Sequence, residues 1–515
     1  MLYNIPLELC NFGCFSKNSC EAYDSVDRTI LWKKLRGLGF GGDFLRTLQS
    51  IYTGDSVVTE VNGLSTRPVY LRRGLRQGCS LSPLLFAIYI AEMGKDITMA
   101  TEGFMVGRIC VNGLLFADDL VLIARDAGGL LRLLSLVKKH TELLKMEINT
   151  ERDKSEVISP DGSHGDDWHV MNDRGEVAIS LKQVIKYKYL GNVTFGSMRL
   201  TCIEKQKSCI SKAHRYKGSC INISGDGPDL VDMVLASWSN VAIPAILHGC
   251  EMIPFTEETI KEIERTQSQV AKFALGLPSS AANVCAQLDL GMKPFRQVLY
   301  ESQLKFYIRV LRLPERSWSR QAIADHFSLQ WKSPYLDYML KIRREMGLME
   351  LPMAVPRLLR FTSNYFVTLT NSTLSGLSLP WLEPVKRFVR QSYTCEGVAS
   401  KTLAMFRYEA AGIGNRYPRH GTAARHTMCP LCASASRNTV AHLALFCPAI
   451  EGIRSVQTSL TSFRNVCALR GYSDDAIFSM LVNGLDSTKT LLAKQDYLRR
   501  GEELKLLLDS WLARW

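Results

Sequence analysis

Three features are missing from this 515-residue sequence, and each absence narrows the class of protein. No run of about 18 apolar residues occurs, which predicts that no segment spans a membrane. The N-terminus has neither a cationic start nor a long apolar stretch, so no secretory signal is predicted. The 15 cysteines are therefore expected to be reduced thiols in an intracellular protein of the nucleus or cytoplasm. Neither a fixed-period repeat nor a low-complexity tract is present.

The chain has instead an excess of positive charge. It contains 63 Lys and Arg against 50 Asp and Glu, for a net charge of +13. This balance favours an anionic partner, nucleic acid first, although a basic solvated surface without a partner would give the same numbers. The apolar fraction of 46% is ordinary for a globular protein, and the length fits roughly three domains.

Two adjacent acids lie inside an otherwise apolar stretch, NGLLFADDLVLIA. Leu114–Phe116 and Leu120–Ile123 are each predicted to form a short buried strand, with Asp118 and Asp119 in the turn between them. Neighbouring carboxylates at a hairpin tip repel each other and resist ionisation unless a cation lies between them. On these residues alone, an ordinary Asp-rich turn is an equal alternative to a metal site.

Near the C-terminus a cluster of Cys and His has the spacing of a zinc site. Cys429 and Cys432 form a CxxC pair, and His442 and Cys447 follow with apolar residues between them on a predicted helix. Three thiolates and one imidazole make a tetrahedral ligand set for Zn²⁺. A CxxC alone could arise by chance among 15 cysteines, but the added His and Cys favour zinc. The remaining cysteines lack such spacing and are predicted to be buried or idle thiols.

Five sequence blocks occur in an order and spacing that resemble the palm domain of reverse transcriptases from non-LTR, LINE-type retrotransposons. The resemblance covers roughly residues 22–195, and the blocks are AYDSV, GLRQGCSLSPLLF, FADD, INTERDKSEVI and YLG. It implies an RNA-directed DNA polymerase whose partners are an RNA template, a DNA primer and deoxynucleotide triphosphates. Similar Cys-Cys-His-Cys knuckles close many of these polymerases.

The resemblance also implies roles for individual residues. Two Mg²⁺ ions, about 3.5–4 Å apart in such sites, would be held by Asp118 and Asp119. Tyr23 would be the aromatic gate against the ribose 2′-OH, and Lys154 would match a lysine of the fourth block, after a gap about two residues longer than usual. The glycine-rich, basic second block would bind the nucleotide through Gln77 and Gly78. The fifth block, YLG, would support the primer end through Tyr189, Leu190 and Gly191.

This sequence departs from the family pattern at the first block. The family carries a metal-binding Asp four residues before the Ala of that block, and here that position is Asn18. The basic fingers that precede the block in the family are replaced by about twenty dissimilar residues, and no endonuclease signature is recognised. These departures predict a truncated, catalytically impaired polymerase. The alternatives are a non-catalytic nucleic-acid-binding protein and a retroelement fossil without a role.

The predicted fold is α+β, a right-hand polymerase palm with a small antiparallel sheet and helices, followed by helical and zinc-binding modules. Residues 1–20 are interpreted as an atypical leader and 21–195 as the palm. A helical thumb and connector is predicted over 196–390, where Thr256 should cap a helix that ends at Gly276. Residues 391–515 should contain the zinc knuckle, 429–447, and a terminal amphipathic helix. The oligomeric state is not readable from the sequence.

Overall fold

A computed structural model describes nine segments of the chain, and all structural statements below concern them: 11–16, 19–106, 109–150, 154–158, 167–171, 175–223, 229–328, 334–348 and 355–375. By their contacts the described residues divide into two compact units. The first contains residues up to Lys205 together with Val310–Tyr335. The second contains Gln206–Arg309 and the described residues from Leu336 onward.

The described strands are short and lie between residues 11 and 195. They are β1 (Asn11–Ser16), β2 (Ser56–Val57), β3 (Glu60–Val61), β4 (Leu64–Ser65), β5 (Val69–Tyr70), β6 (Phe104–Val106), β7 (Ile109–Val111), β8 (Gly113–Phe116), β9 (Asp119–Ala124), β10 (Ser155–Ile158), β11 (Trp168–Met171), β12 (Val177–Val184), β13 (Lys186–Tyr189) and β14 (Asn192–Phe195).

The helices lie between and after these strands. They are α1 (Ser19–Asp24), α2 (Arg28–Gly37), α3 (Gly42–Tyr52), α4 (Ser82–Met99), α5 (Ala127–Leu143), α6 (Met198–Ile221), α7 (Asp229–Ser237), α8 (Ile243–Leu247), α9 (Glu257–Leu275), α10 (Asn283–Asp289), α11 (Phe295–Leu311), α12 (Trp318–Ser328), α13 (Pro334–Glu345) and α14 (Val355–Ser375). A π-helical turn, Trp238–Ala242, joins α7 to α8.

The main sheet has six strands in the order β11-β12-β10-β1-β9-β8. Its pairs are antiparallel except for β10 and β12, which run parallel. Mixed helices around a small, mostly antiparallel sheet are consistent with the predicted palm. Four two-stranded ladders accompany this sheet, and two of them, β2 with β5 and β3 with β4, lie between α3 and α4.

Strand β9 is buried on both faces, which explains its continuous apolar sequence. Alternate residues Leu120, Leu122 and Ala124 join one apolar cluster, to which α2, α4 and α5 also contribute. Val121 and Ile123 belong to a second cluster. Burying one Leu or Ile side chain stabilises a fold by about 1.5–3 kcal/mol, so this strand anchors the sheet from both sides. One residue of the acid pair, Asp119, is therefore the first residue of one of the most firmly packed strands.

The predicted helix after Thr256 is confirmed in detail. Thr256 caps α9 by accepting a hydrogen bond from the backbone N–H of Thr259 at 3.3 Å. The helix ends at Gly276, whose φ of 62° is the left-handed conformation that favours glycine. The predicted apolar face is buried: Ile260, Ile263, Val270 and Ala274.

Two features differ from the sequence-based division of the chain. Residues 11–16, predicted as part of a leader, form β1 in the middle of the main sheet, where hydrogen bonds to β9 and β10 on both sides stabilise a segment with little strand pattern of its own. Val310–Tyr335, predicted as connector, groups with the first unit. The reason is packing, because Trp318 and Ala322 contact the apolar cluster that contains Val121.

One helical segment in the described residues, Leu230–Leu247, is long and apolar enough to cross a membrane by length and composition, with a mean hydropathy of 1.6. Core helices of soluble proteins pass the same test when they are mostly buried, whereas 28% of this segment is buried, Trp238 and Ile246 among it. The prediction for the isolated cysteines is confirmed at Cys202 and Cys220, which are buried free thiols. Burial raises the pKa of Cys202 to about 11 and also raises the pKa of Cys220.

Candidate active site

The acid pair lies at a tight hairpin, as predicted. Strands β8 and β9 are paired so that Phe116 faces Asp119, which leaves Ala117 and Asp118 as a two-residue turn. Ala117 has a φ of 53°, an uncommon conformation for a residue other than glycine. Asp119 is therefore the first residue of a strand, whereas the sequence interpretation placed it in the turn. Both carboxylates are half-buried.

Strand β1 runs beside the acid-bearing strand and is its antiparallel partner. Ser16, the last residue of β1, is the register partner of Asp119. Asn18, the residue predicted to replace a metal-binding Asp, lies outside the described residues. The sequence from Leu9 to Cys20 contains neither Asp nor Glu. The strand next to the acid pair therefore contributes no carboxylate, whichever of its positions is compared with the family.

Tyr23 lies close to the acid pair at the end of α1. Its ring stacks on Phe86 of α4, with a centroid distance of 4.9 Å and an interplanar angle of 18°. Burial, and then the negative charge of Asp118, raise the pKa of the Tyr23 hydroxyl. The structure therefore brings the predicted ribose gate and the predicted metal ligand together. Stacking on Phe86 also holds the ring of the predicted gate in place.

The glycine-rich block docks directly onto the Tyr23 segment. Leu75 donates its backbone N–H to the carbonyl of Tyr23 at 2.8 Å, and Gln77 Nε2 lies 3.3 Å from Asp24 Oδ2. Gly74 has a φ of +90°, and a Cβ added there would lie 2.9 Å from the Cα of Asp24. Only glycine allows this approach. Gly78 also has a positive φ, +79°, but its added Cβ would meet no atom within 4 Å.

A cavity lies behind the acid hairpin within the first unit. Its empty volume is about 500 Å³, including space open to solvent, and its lining is mostly apolar. Asp118, Phe86 and Asn149 are among the lining residues. Because Asn149 is the second residue of the block that contains Lys154, the cavity connects that block to the acid pair. Lys154 itself directly precedes β10, and its carbonyl accepts a hydrogen bond from the Tyr187 hydroxyl at 2.9 Å.

The YLG block forms a second tight hairpin. Strands β13 and β14 pair so that Tyr189 faces Asn192, which leaves Leu190 and Gly191 in the turn. Both turn residues have positive φ, 45° and 78°. The predicted turn is therefore present, while its role in supporting a primer stays a prediction.

The predicted zinc ligands Cys429, Cys432, His442 and Cys447 lie outside the described residues. Within the described segments, no group of three or more His, Cys, Asp or Glu residues is arranged to hold a metal ion.

Sequence reasoning missed two buried charges beside the nucleotide block. Arg28 and Asp55 form an ion pair with a distance of 3.2 Å between Nη2 and Oδ2. The only sequence signal was the Arg that follows AYDSVD, and an isolated Arg does not reveal its partner.

Comparisons with known proteins agree with the geometry. Residues 19–193 match the family described as "Reverse transcriptase (RNA-dependent DNA polymerase)". The chain is similar to the "Retrovirus-related Pol polyprotein from type-2 retrotransposable element R2DM" of Drosophila melanogaster, with 29% identity over 35% of this chain and 17% of the relative. It is also similar to a "Retrovirus-related Pol polyprotein from type-1 retrotransposable element R2" of Popillia japonica, with 22% identity over 52% of this chain and 36% of the relative.

A further relative is the "Transposon TX1 uncharacterized 149 kDa protein" of Xenopus laevis, 30% identical over 22% of this chain and 9% of that protein. The similarity thus spans well under half the length of these curated relatives. It includes the residues that form the acid hairpin, the Tyr23 segment and the glycine-rich block. Residues 19–193 therefore match the reverse transcriptase family, and the relatives that the chain resembles include Pol polyproteins of retrotransposable elements.

Proposed function

We propose that this chain binds an RNA template, a DNA primer and a deoxynucleotide triphosphate at the Asp118–Asp119 hairpin, and that its nucleotidyl transfer is impaired. The observation that carries the proposal is the pairing of the hairpin with a strand that has no carboxylate, since Ser16 is the register partner of Asp119. Nucleotide binding is supported by the loop that carries Gln77, because Leu75 and Gln77 hydrogen-bond to Tyr23 and Asp24, respectively.

The two acids are suitable ligands for Mg²⁺, which prefers carboxylate oxygens. When bound, the ions of such a site activate the attacking hydroxyl and neutralise charge on the triphosphate. Asp118 and Asp119 would hold these ions, whose positive charge would reduce the repulsion between the two carboxylates. A carboxylate missing from the neighbouring strand weakens this site by one formal negative charge.

The expected loss of rate is large. Removing one ligand of a two-metal site should remove several kcal/mol of transition-state stabilisation. Since each 1.36 kcal/mol corresponds to about tenfold in rate, a reduction of roughly a thousandfold or more is expected. Binding of nucleic acid should persist, because it depends on the basic character of the chain, net +13, rather than on the acids.

The test is incorporation of labelled deoxynucleotide by the purified chain on an RNA template with a DNA primer and Mg²⁺. We expect template–primer binding without measurable extension. The control is the Asp118→Ala/Asp119→Ala variant, which should bind the duplex equally well. Extension by the unmodified chain that disappears in this variant would refute the impairment. Absence of template–primer binding at low salt would refute the proposed function altogether.

We further propose that Cys429, Cys432, His442 and Cys447 bind one Zn²⁺. The spacing of the four residues supports this, because three thiolates and an imidazole complete a tetrahedral set.

An intracellular location, in the nucleus or cytoplasm, is part of the same proposal, because nucleotides and reduced thiols are found there.

A further inference from the structure

The loop that carries Gln77 has no strand ladder of its own and depends on distant residues for its position. Between the end of β5 at Tyr70 and the start of α4 at Ser82, its backbone is tied to the α1–α2 junction. Gly74 donates its N–H to the carbonyl of Val26 at 2.8 Å, alongside the bond from Leu75 described above. What fixes this loop therefore fixes the place of Gln77.

Arg28 fixes the loop with a single side chain that meets four acceptors. Its Nε donates to Gly74 O at 2.8 Å, and its Nη1 donates to Tyr52 O at 2.9 Å and to Leu71 O at 3.0 Å. Its Nη2 pairs with Asp55 at 3.2 Å. The side chains of Arg28 and Asp55 are only 11% and 9% exposed. A planar guanidinium with five donors can serve these directions at once, whereas a lysine ammonium cannot.

Asp55 extends the same network to the residue before Gln77. Its Oδ1 accepts from Arg76 Nε at 3.1 Å, and Arg76 Nη2 donates to Ile51 O at 2.9 Å. The Arg76 carbonyl in turn accepts a hydrogen bond from Ser82 Oγ at 2.6 Å. Arg76 is thus held by both its side chain and its backbone.

We infer that Arg28 and Asp55 are positioning residues for the incoming nucleotide. They touch neither nucleotide nor metal, and act by holding Gln77 and its loop against the Tyr23–Asp24 segment. This inference rests on the proposed function, since it assumes that the nucleotide binds beside Tyr23 and Gln77. An Arg28→Lys variant keeps the positive charge but leaves several of the four acceptors unmet, so the loop loses its fixed distance to Tyr23.

The experiment measures nucleotide binding without requiring catalysis. A primer ended by a dideoxynucleotide is annealed to an RNA template, and the next complementary deoxynucleotide is titrated until the ternary complex resists a competitor. For Arg28→Lys we expect the half-saturating deoxynucleotide concentration to rise by about tenfold or more. The Kd for template–primer alone should not change. The preference for deoxynucleotide over ribonucleotide should fall, a readout that a purely structural role would leave unchanged.

Matched variants complete the test. Arg46→Lys alters an exposed arginine that pairs with Asp43 on α3, and it should behave like the unmodified chain. Arg76→Gln, at a side chain that is 47% exposed, should shift nucleotide affinity in the same direction and serves if Arg28→Lys fails to fold.

The outcomes separate the inference from the proposed function. An unmodified chain that forms no ternary complex overturns the nucleotide part of the proposed function, and the inference with it. A different result overturns the inference alone. In that result a folded variant, Arg28→Lys or Arg76→Gln, forms the ternary complex with the same half-saturating deoxynucleotide concentration and the same ribose preference as the unmodified chain.

Discussion

Replacing Gly74 by Ala should destabilise the first unit more than the same change at a comparable glycine. At φ +90° any L residue is strained, and here the new Cβ would also lie 2.9 Å from Asp24 Cα and 3.0 Å from Asp24 O. The atoms it meets are backbone, which cannot rotate away. Gly63 has a similar φ, +77°, but its added Cβ would meet nothing within 4 Å. The pair therefore separates conformational strain from steric clash.

The magnitudes follow from these two contributions. A left-handed conformation costs a non-glycine residue about 1–2 kcal/mol, which both variants should show. Inserting a methyl group into a packed contact costs about 1–3 kcal/mol more, which only Gly74→Ala should show. We therefore expect a loss of about 1–2 kcal/mol in the free energy of unfolding for Gly63→Ala and about 2–5 kcal/mol for Gly74→Ala.

The assay is urea denaturation of both variants and the unmodified chain, in which circular dichroism and tryptophan fluorescence monitor unfolding. Trp32, which packs against the core of the first unit, reports on that unit. Equal destabilisation by the two substitutions would show that the Gly74 loop does not approach Asp24 as closely as described. It would also remove the basis for placing Gln77 beside Tyr23.

Three other expectations can be measured independently. Purified chain should contain one Zn²⁺ by elemental analysis, and Cys432→Ser should contain less; equal zinc in both would refute the four-ligand set. Affinity for RNA and DNA should fall log-linearly with salt and show little sequence preference, because basic groups make the contacts; a flat salt response would refute electrostatic binding. Tyr23→Ala should bring the half-saturating concentrations of deoxy- and ribonucleotide closer together in the ternary-complex assay, and an unchanged ratio would refute the gate.

The sequence predicted those parts of the fold that local patterns determine. The α9 helix was readable because Thr256 and Gly276 provide its cap and its left-handed end within one segment. The acid hairpin was readable because apolar strands flank a short polar turn. In both cases the residues that stabilise the element are neighbours in sequence.

Contacts between distant segments could not be predicted in this way. Strand β1 falls within the predicted leader, because six residues with little alternation do not indicate its pairing with β9 and β10. The role of Arg28 could not be predicted from the sequence. Its acceptors at Tyr52, Leu71 and Gly74 are backbone carbonyls, which are present whatever the residue type. The zinc prediction and the role of Asn18 lie outside the described residues and stay predictions.

We propose that a missing carboxylate beside the Asp118–Asp119 hairpin limits nucleotidyl transfer. The most direct measurement is primer extension on an RNA template by variants that supply an acid, Ser16→Asp at the register partner of Asp119 and Asn18→Asp at the position that the family pattern indicates. Ser65→Asp, on the exposed strand β4, adds the same charge elsewhere. We predict that at least one of the first two variants extends primers measurably, about tenfold or more above the detection limit that the unmodified chain does not exceed, and that Ser65→Asp does not. If neither variant exceeds the unmodified chain, the missing carboxylate is not what limits the reaction.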